Sequence, residues 1–525
     1  MNSNSFLHWK STRAGATALA WGLLVSTTSA VDYSTIAAGT WSGSSTSRNA
    51  TYGTTTTPGS IGPGASDNLT LTVNGIFSLQ NSTGLLTGGL NRAINNITST
   101  VAGANIASGG ASSGNFTSLT VNGNLTLSTS GVSLALWNTS GAPTTQGAMT
   151  VTVGGNISIG TGTSLYLGLI EDTGVPNGGN SYGSYLNGFT ANSTESGKGQ
   201  VVVDGKLMLH RNTTIATFGD LNVGATGVVT LTGAGSANLT HSGTFNKTIQ
   251  ARSLAGSGIV ENSIILGANG TTSSNATLHL QTLATTNATY SGTLRDGSGT
   301  GAVLNLTMSG SGRQALSGNN TYSGSTTVSA GVLEAAHSQA LGGNGTVTVT
   351  GGSLLVGANG SIDEKSLFLD KAIAGDATAA QAALQFGASY SNTIGTAGAL
   401  TLEQDSIIDL GTGGVVIHFR EIANLDSYIL HIFNWEGDTV WSGSPGGGKD
   451  QFYVDEALGG AELDNIRFYS GTTTSSFISS GFQVTGGSFN NEIIAVPEPG
   501  TWVGAALLLA WAGFRLHRRA SKAGV

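Results

Sequence analysis

Cysteine is absent from the 525 residues, which excludes a disulfide framework, thiol chemistry and any thiolate metal site. Charge is almost as thin. Only 9% of residues are Asp, Glu, Lys or Arg, against about 25% in an average globular chain, so Ser, Thr, Asn and Gly must cover most of the surface. Cations are the scarcer sign, with 20 Lys and Arg against 28 Asp and Glu. Six of those cations lie before Ala30 or after Gly500: Lys10, Arg13, Arg515, Arg518, Arg519 and Lys522. The chain between keeps 14 cations and all 28 carboxylates, a net charge near −14. So acidic an exterior argues against nucleic acid or an anionic membrane surface as a partner. Proline is limited to 7 residues, while glycine reaches 81 and hydrophobic residues 38%. The hydrophobic residues come in regularly spaced short runs at low charge density, which is not the signature of a disordered chain.

At the N-terminus, Lys10 and Arg13 form a positive region and Ala14 to Val25 an apolar run of small residues. Thr28-Ser29-Ala30 then places a small residue at each position that a signal peptidase reads. The pattern predicts a signal peptide over 1–30 with cleavage after Ala30. The apolar run is too short and too rich in Ala and Gly for a retained anchor.

The C-terminus carries three elements in order: Val496-Pro497-Glu498-Pro499-Gly500, an apolar run from Trp502 to Phe514, and a basic tail with Arg515, His517, Arg518, Arg519 and Lys522. Two prolines fix φ and remove backbone donors, so the tripeptide stays extended and readable. The apolar run spans about 13 residues, short of the ~20 that cross a bilayer comfortably. Snorkelling cations or local thinning make up the difference, with the cations on the cytoplasmic side. This order at the extreme C-terminus closely resembles the PEP-CTERM sorting signal of Gram-negative bacteria; an ordinary tail anchor is the alternative. The resemblance implies handling by exosortase, a membrane-embedded processing enzyme, and an association with exopolysaccharide. It assigns recognition to Pro497, Glu498 and Pro499, with Arg515, Arg518 and Arg519 holding the short helix in register.

Between the ends a short β-pattern recurs: Leu69 to Leu79, Leu119 to Leu127, Met149 to Ile159, Val201 to Leu209 and Leu221 to Leu231. The first four share Val-x-Gly-x-apolar, with Asn, Gly or Asp before the glycine; the fifth has Ala225 in place of that glycine. Apolar residues alternate on both sides of the break, so a period of 2 puts one face inward. The glycine is expected to tolerate φ > 0 and to leave room for a bend. Singly, each segment reads as a hairpin; as a series they fit strand, corner and strand in the stacked coils of a solenoid. The solenoid reading places Leu71, Val73, Val121, Leu125, Val153, Ile157, Val203, Leu207, Val223, Val328 and Leu333 inward.

The stretch from Ala251 to Gly343 sharpens the pattern, above all Leu316 to Gly343. There Asn319 to Gly324 forms a polar corner before a strand at Ser325 to Val328, and Ala330-Gly331 turns into a strand at Val332 to Ala335. This block resembles the autotransporter-associated β-strand (passenger-associated transport) repeat, which implies a right-handed parallel β-helix in a secreted passenger. An autotransporter would end in a membrane β-barrel of many amphipathic strands, and nothing after Leu341 is patterned for that.

Composition shifts near Asp363. Asp363 to Leu384 holds the densest cluster of helix formers outside the terminal segments, interrupted by Gly375, and its state is left open. Aromatics concentrate in the segments that follow, such as Tyr428 to Gly437, and predict a β cap. A cap is physically needed because an open solenoid end presents unpaired strand edges.

Candidate chemistry is sparse. His418 and His431 lie on adjacent predicted strands and are the two histidines able to meet, but no carboxylate stands at a ligand spacing from them. Asp204, Asp220, Glu261 and Asp296 are isolated among Gly and Thr, where a glycosidase needs a convergent pair. Gly446 to Asp455 holds one Gly-Asp string and reads as a tight turn rather than a calcium repeat. Asn-x-Ser/Thr triplets, including those at Asn68, Asn96, Asn124 and Asn305, read as corner residues rather than glycan acceptors. Trp41 and Trp137 are candidates for stacking on sugar, with packing the default.

Together these features predict an all-β chain: a right-handed parallel β-helix with a C-terminal β cap and a single short C-terminal transmembrane helix. The expected divisions are a signal peptide over 1–30, a solenoid over 31–360, a cap over 361–485, and a linker with the sorting signal over 486–525. Catalytic, cofactor and metal residues are not expected. The expected role is structural or adhesive at the cell envelope or in the extracellular matrix. Its partners would be an exosortase-type enzyme, the membrane through the C-terminal helix, and exopolysaccharide or other surface glycans. A carbohydrate-active enzyme or a carbohydrate-binding protein on the same scaffold is the alternative.

Overall fold

The computed structural model describes residues 32–35, 39–41, 52–54, 68–72, 75–79, 90–108, 117–138, 149–168, 188–191, 199–210, 215–233, 243–263, 272–297, 301–387, 389–391, 398–437, 449–484 and 491–495. The signal peptide with Ala30, Val73, Pro497, Glu498, Pro499, the terminal apolar run, and Arg515, Arg518 and Arg519 lie outside these residues.

Each Val-x-Gly segment contributes two consecutive strands that do not pair with each other. Thr117–Val121 and Leu125–Leu127 each pair in parallel with the equivalent strand of the next segment, giving Val121↔Val153 and Leu125↔Ile157. Leu125 also pairs with Ile97 in the strand Asn96–Ser99 of the coil before. Parallel neighbours require a crossover rather than a hairpin, so the hairpin alternative falls. The chain forms a β-helix-like all-β fold of stacked coils.

The coils have three walls. The first includes Leu90–Ile94, Thr117–Val121, Met149–Val153 and Gly188–Ala191. The second includes Asn68–Leu71, Asn96–Ser99, Leu125–Leu127, Ile157–Ile159 and Val201–Val203. The third runs from Gly39–Trp41 and Gly75–Leu79 through Ser133–Asn138 and Lys206–His210 to Thr293–Asp296. The first two walls merge where Ile215–Val223 and Gly243–Gly256 run through both. Trp41 and Trp137 both fall on third-wall strands.

Alternation explains the core. Ala302–Gly310 alternates buried and half-buried residues along most of its length, sending Leu304, Leu306 and Met308 inward and Val303, Asn305 and Thr307 outward. Leu71, Val121, Leu125, Val153, Ile157, Val203, Leu207, Val223, Val328 and Leu333 are all buried. They join one continuous cluster along the described chain.

The corners are where the glycine expectation needs correction. Gly123, Gly155 and Gly205 do not adopt positive φ. A Cβ on Gly155 would instead lie 2.5 Å from the Gly123 carbonyl of the preceding coil. Close stacking of one corner on another selects glycine here, not backbone handedness. Asparagines bind the same corner together: Asn124 N–H donates to Asn96 Oδ1 at 2.7 Å, and Asn156 N–H to Asn124 Oδ1 at 2.8 Å. These triplet asparagines therefore serve as coil-to-coil ties.

The tightest winding follows. Thr307, Thr327, Thr348 and Phe368 stack in register, a coil of 20 or 21 residues. Here the third wall gives way to a ladder of turns. Asn319 to Gly324 is polar in composition, yet Asn320 and Tyr322 point inward and are 1% and 0% exposed. Asn320 Oδ1 accepts from Leu294 N–H at 2.8 Å and its Nδ2 donates to the Ala340 carbonyl at 2.6 Å, so one amide joins three coils. The Tyr322 hydroxyl meets Thr326 Oγ1 at 2.7 Å. In the next turn the buried Lys365 ammonium donates to the Gly342 and Gly343 carbonyls.

Parallel stacking continues past residue 361 to Leu430–Phe433 and Ile466–Tyr469, while the third wall resumes with Tyr390–Ser391, Val415–Phe419 and Gln451–Val454. Antiparallel pairing then ends the stack: Phe477–Gln483 pairs with Ile466–Tyr469, and Ile493–Ala495 pairs with Phe477–Gln483. Within the region expected as linker and sorting signal over 486–525, Ile493–Ala495 is this last strand. Ile493, Ile494 and Ala495 are buried, because three successive apolar residues have coil edge to cover. At the other end, Asp32–Thr35 pairs antiparallel with Tyr52–Thr54. Among the described residues no helix is long and apolar enough to cross a membrane.

Candidate functional site

The cluster of helix formers at 363–384 forms a strap rather than a helix. After the strand Leu367–Leu369, the chain crosses the outside of the second wall with only a short 3₁₀ turn at Ala379–Gln381. Ala377, Ala379 and Ala382 pack there against Ile407, Phe433 and Tyr469, forming a small second core outside the coils. Ala379 N–H donates to the Thr472 carbonyl at 3.0 Å, fixing the strap to the loop that leads into the capping strand.

The wall beneath is unusual in sequence. In Leu430–Phe433 and Ile466–Tyr469, Leu430, Ile432, Ile466 and Phe468 fill the solenoid core. The alternate positions carry His431, Phe433, Arg467 and Tyr469, whereas the first coils of this wall carry residues such as Thr98, Thr126 and Ser158 there. Phe433 and Tyr469 stack at 4.4 Å and 18°, His431 lies 5.6 Å from Tyr469 at 26°, and Phe477 leans on Tyr469 at 5.5 Å.

Beside the strap this stack borders a cleft of about 890 Å³ lined by Asp376, Asp405, Asp464, Arg467, His431 and Phe477, among others. Phe477 is 51% exposed, whereas His431 is only 7% exposed. His431 Nδ1 meets the Tyr469 hydroxyl at 2.9 Å, and its other ring nitrogen has no hydrogen-bond partner among the described residues. Burial, assisted by the Arg467 charge, pushes the His431 imidazole down to about 4, so it is neutral at neutral pH. Burial likewise raises the Tyr469 hydroxyl. Asp405 Oδ1 accepts from Ile429 N–H at 2.9 Å, which fixes that carboxylate at the rim.

The structure separates the two histidines that the sequence placed on adjacent strands. His418 is on a third-wall strand, where it pairs with Tyr453 and bonds Asp455, while His431 is on the second wall. Three of the four isolated carboxylates tie coils together. Asp220 binds Arg252 at 2.5 Å, an interaction that lowers its carboxyl below the usual range, and Glu261 binds Arg295 at 2.6 Å. Asp296 accepts from Leu304 N–H and Ser323 N–H. Asp450, in the Gly-Asp string, is buried and accepts from Val415 N–H and Glu436 N–H. No group of three or more His, Asp or Glu able to hold a metal occurs among the described residues.

Neither the strap nor the cleft was foreseen from sequence. The available signal was the pair of strands LHIF and IRFY, with large or charged residues at outward positions.

Residues 306–335 match the family described as passenger-associated-transport-repeat. The match runs from the strand Ala302–Gly310 to the strand Val332–Ala335, more than one full coil, within the tightest part of the stack. No curated protein and no solved structure matches the chain.

Proposed function

We propose that the chain is an exported component of the cell surface or extracellular matrix, structural or adhesive in role rather than enzymatic. A passenger-type surface protein is the reading that the repeat at 306–335 supports, and its position on a tightly wound stack is the observation that carries the proposal. Low charge and a polar Ser, Thr, Asn and Gly exterior suit a long rod exposed outside the cell. Right-handed winding belongs to the same reading, since parallel crossovers take that hand almost without exception.

Export is assigned to the segment ending at Ala30, and sorting to Pro497, Glu498 and Pro499 with a short membrane helix fixed by Arg515, Arg518 and Arg519. An exosortase-type enzyme would be the processing partner and surface glycans the adhesive partner. The test is fractionation with mass spectrometry of the mature C-terminus, comparing wild type, Glu498→Ala and an exosortase-deficient strain. The expected result is export in all three, with processing at the C-terminus in wild type alone. Processing and localisation of Glu498→Ala like wild type would contradict the sorting assignment. Retention of all three in the cytoplasm would contradict the surface role.

A further inference from the structure

We propose that the cleft between the strap and the capping strand binds a polysaccharide through hexosamine units that carry free amines. The inference rests on the surface role proposed above and names the ligand chemistry for it.

Three independent features of the cleft point to such a ligand. Phe477 presents an aromatic ring that is 51% exposed at the rim. A large exposed apolar ring costs solubility, yet a pyranose can cover it with its C–H face and a cation can approach it. The charged lining is unbalanced: Asp376, Asp405 and Asp464 border the same space as a single cation, Arg467. Because His431 is neutral at neutral pH, it adds no compensating charge. An ammonium group is the complement of that excess. The third feature is His431 itself, nine-tenths buried, lining the cleft, with one ring nitrogen held by Tyr469 and the other unpartnered among the described residues. With the ring held in place by its neighbours, that nitrogen offers a ligand a hydrogen bond at little cost in side-chain ordering. A sugar hydroxyl completes that bond whether the nitrogen is donor or acceptor. Arg467, Thr474 and Ser480 add further hydrogen-bonding groups to the lining.

An anionic polysaccharide would meet three carboxylates. A neutral glucan would satisfy the ring and His431 but leave the acidic excess unanswered. A dry apolar peptide is disfavoured because the lining is mainly polar and charged. An amine-bearing sugar answers all three features.

The test is titration calorimetry on the full-length chain in detergent with three tetrasaccharides: tetraglucosamine, its fully N-acetylated form and cellotetraose. Tetraglucosamine should bind, weaken as salt rises, and exceed the other two by about tenfold or more. Phe477→Ala and the double variant Asp376→Asn, Asp464→Asn should each reduce that binding about tenfold or more. Phe477→Trp should retain it, and melting temperatures should confirm that the variants fold. Equal binding of all three sugars, no binding of any, or binding unaffected by the substitutions would overturn the proposal. A chain that fails here but reaches the cell surface would disprove the cleft assignment alone, whereas a chain retained in the cytoplasm would disprove the surface role itself.

Discussion

Leu125 and Thr126 stand side by side, and their difference in environment carries the logic of the fold. Leu125 is fully buried between Ile97 and Ile157 of the neighbouring coils, while Thr126 is half-exposed on the outer face. Leu125→Asp would bury a charge with no partner and should destabilise the chain by several kcal/mol, on the order of 4. Thr126→Asp should cost about 0.5 kcal/mol or less. Denaturant unfolding of the two variants measures this directly, and equal losses would refute the inward–outward register. A second residue gives a pH signature. The folded pKa of His431, about 4, lies below the 6.5 of free imidazole. As pH falls, the unfolded chain therefore takes up that proton first. The contribution of His431 to stability is complete above about 6.5, declines through the window from 6.5 to 4, and is level below it. NMR titration of the imidazole should show a midpoint near 4, and His431→Gln should flatten the stability profile across that window. A midpoint near 6.5 would mean that the stack around His431 does not form.

Among the elements, the turn at 317–325 is held by buried side chains as well as by backbone bonds to the coils beside it, so its stability should depend on both. Asn320→Ala leaves Leu294 N–H and the Ala340 carbonyl without their side-chain partner in a buried setting, at a cost of about 2 kcal/mol or more. Tyr322→Phe removes only the bond to Thr326 Oγ1 and should cost about 1 kcal/mol. Thermal unfolding of both variants checks the order; a larger loss from Tyr322→Phe would contradict it. These elements also show what was legible in sequence. Period-2 alternation identified the strands and the inward residues, because each strand faces only two environments. The corner at Asn319 to Gly324 looked solvent-exposed from its polarity, yet Asn320 and Tyr322 point inward. A polar side chain that satisfies backbone groups of three coils cannot be distinguished in sequence from one that faces water. The strap was opaque for a related reason. Its alanines favour a helix locally, but packing against Ile407, Phe433 and Tyr469 decides the outcome, and those residues follow it by 25 or more positions. The cleft depends on the strap and the last hairpin together, so no local pattern could announce it.

For the whole molecule, the described coils form one continuous core closed at each end by antiparallel strands. A chain with no cysteine allows the stacking to be tested without background. Thr126 lies directly opposite Ser158 of the next coil, and Ser158 opposite Val202 of the coil beyond. Parallel neighbours lie about 4.8 Å apart, within disulfide reach, whereas strands two coils apart are near 10 Å and beyond it. The decisive measurement is non-reducing mass spectrometry of three double variants, each oxidised in the folded state. Stacked coils predict a disulfide in Thr126→Cys, Ser158→Cys and none in Thr126→Cys, Val202→Cys or in Thr120→Cys, Thr126→Cys. A disulfide in the Thr120, Thr126 pair with none between Thr126 and Ser158 would show that the segments are hairpins, and would contradict the solenoid.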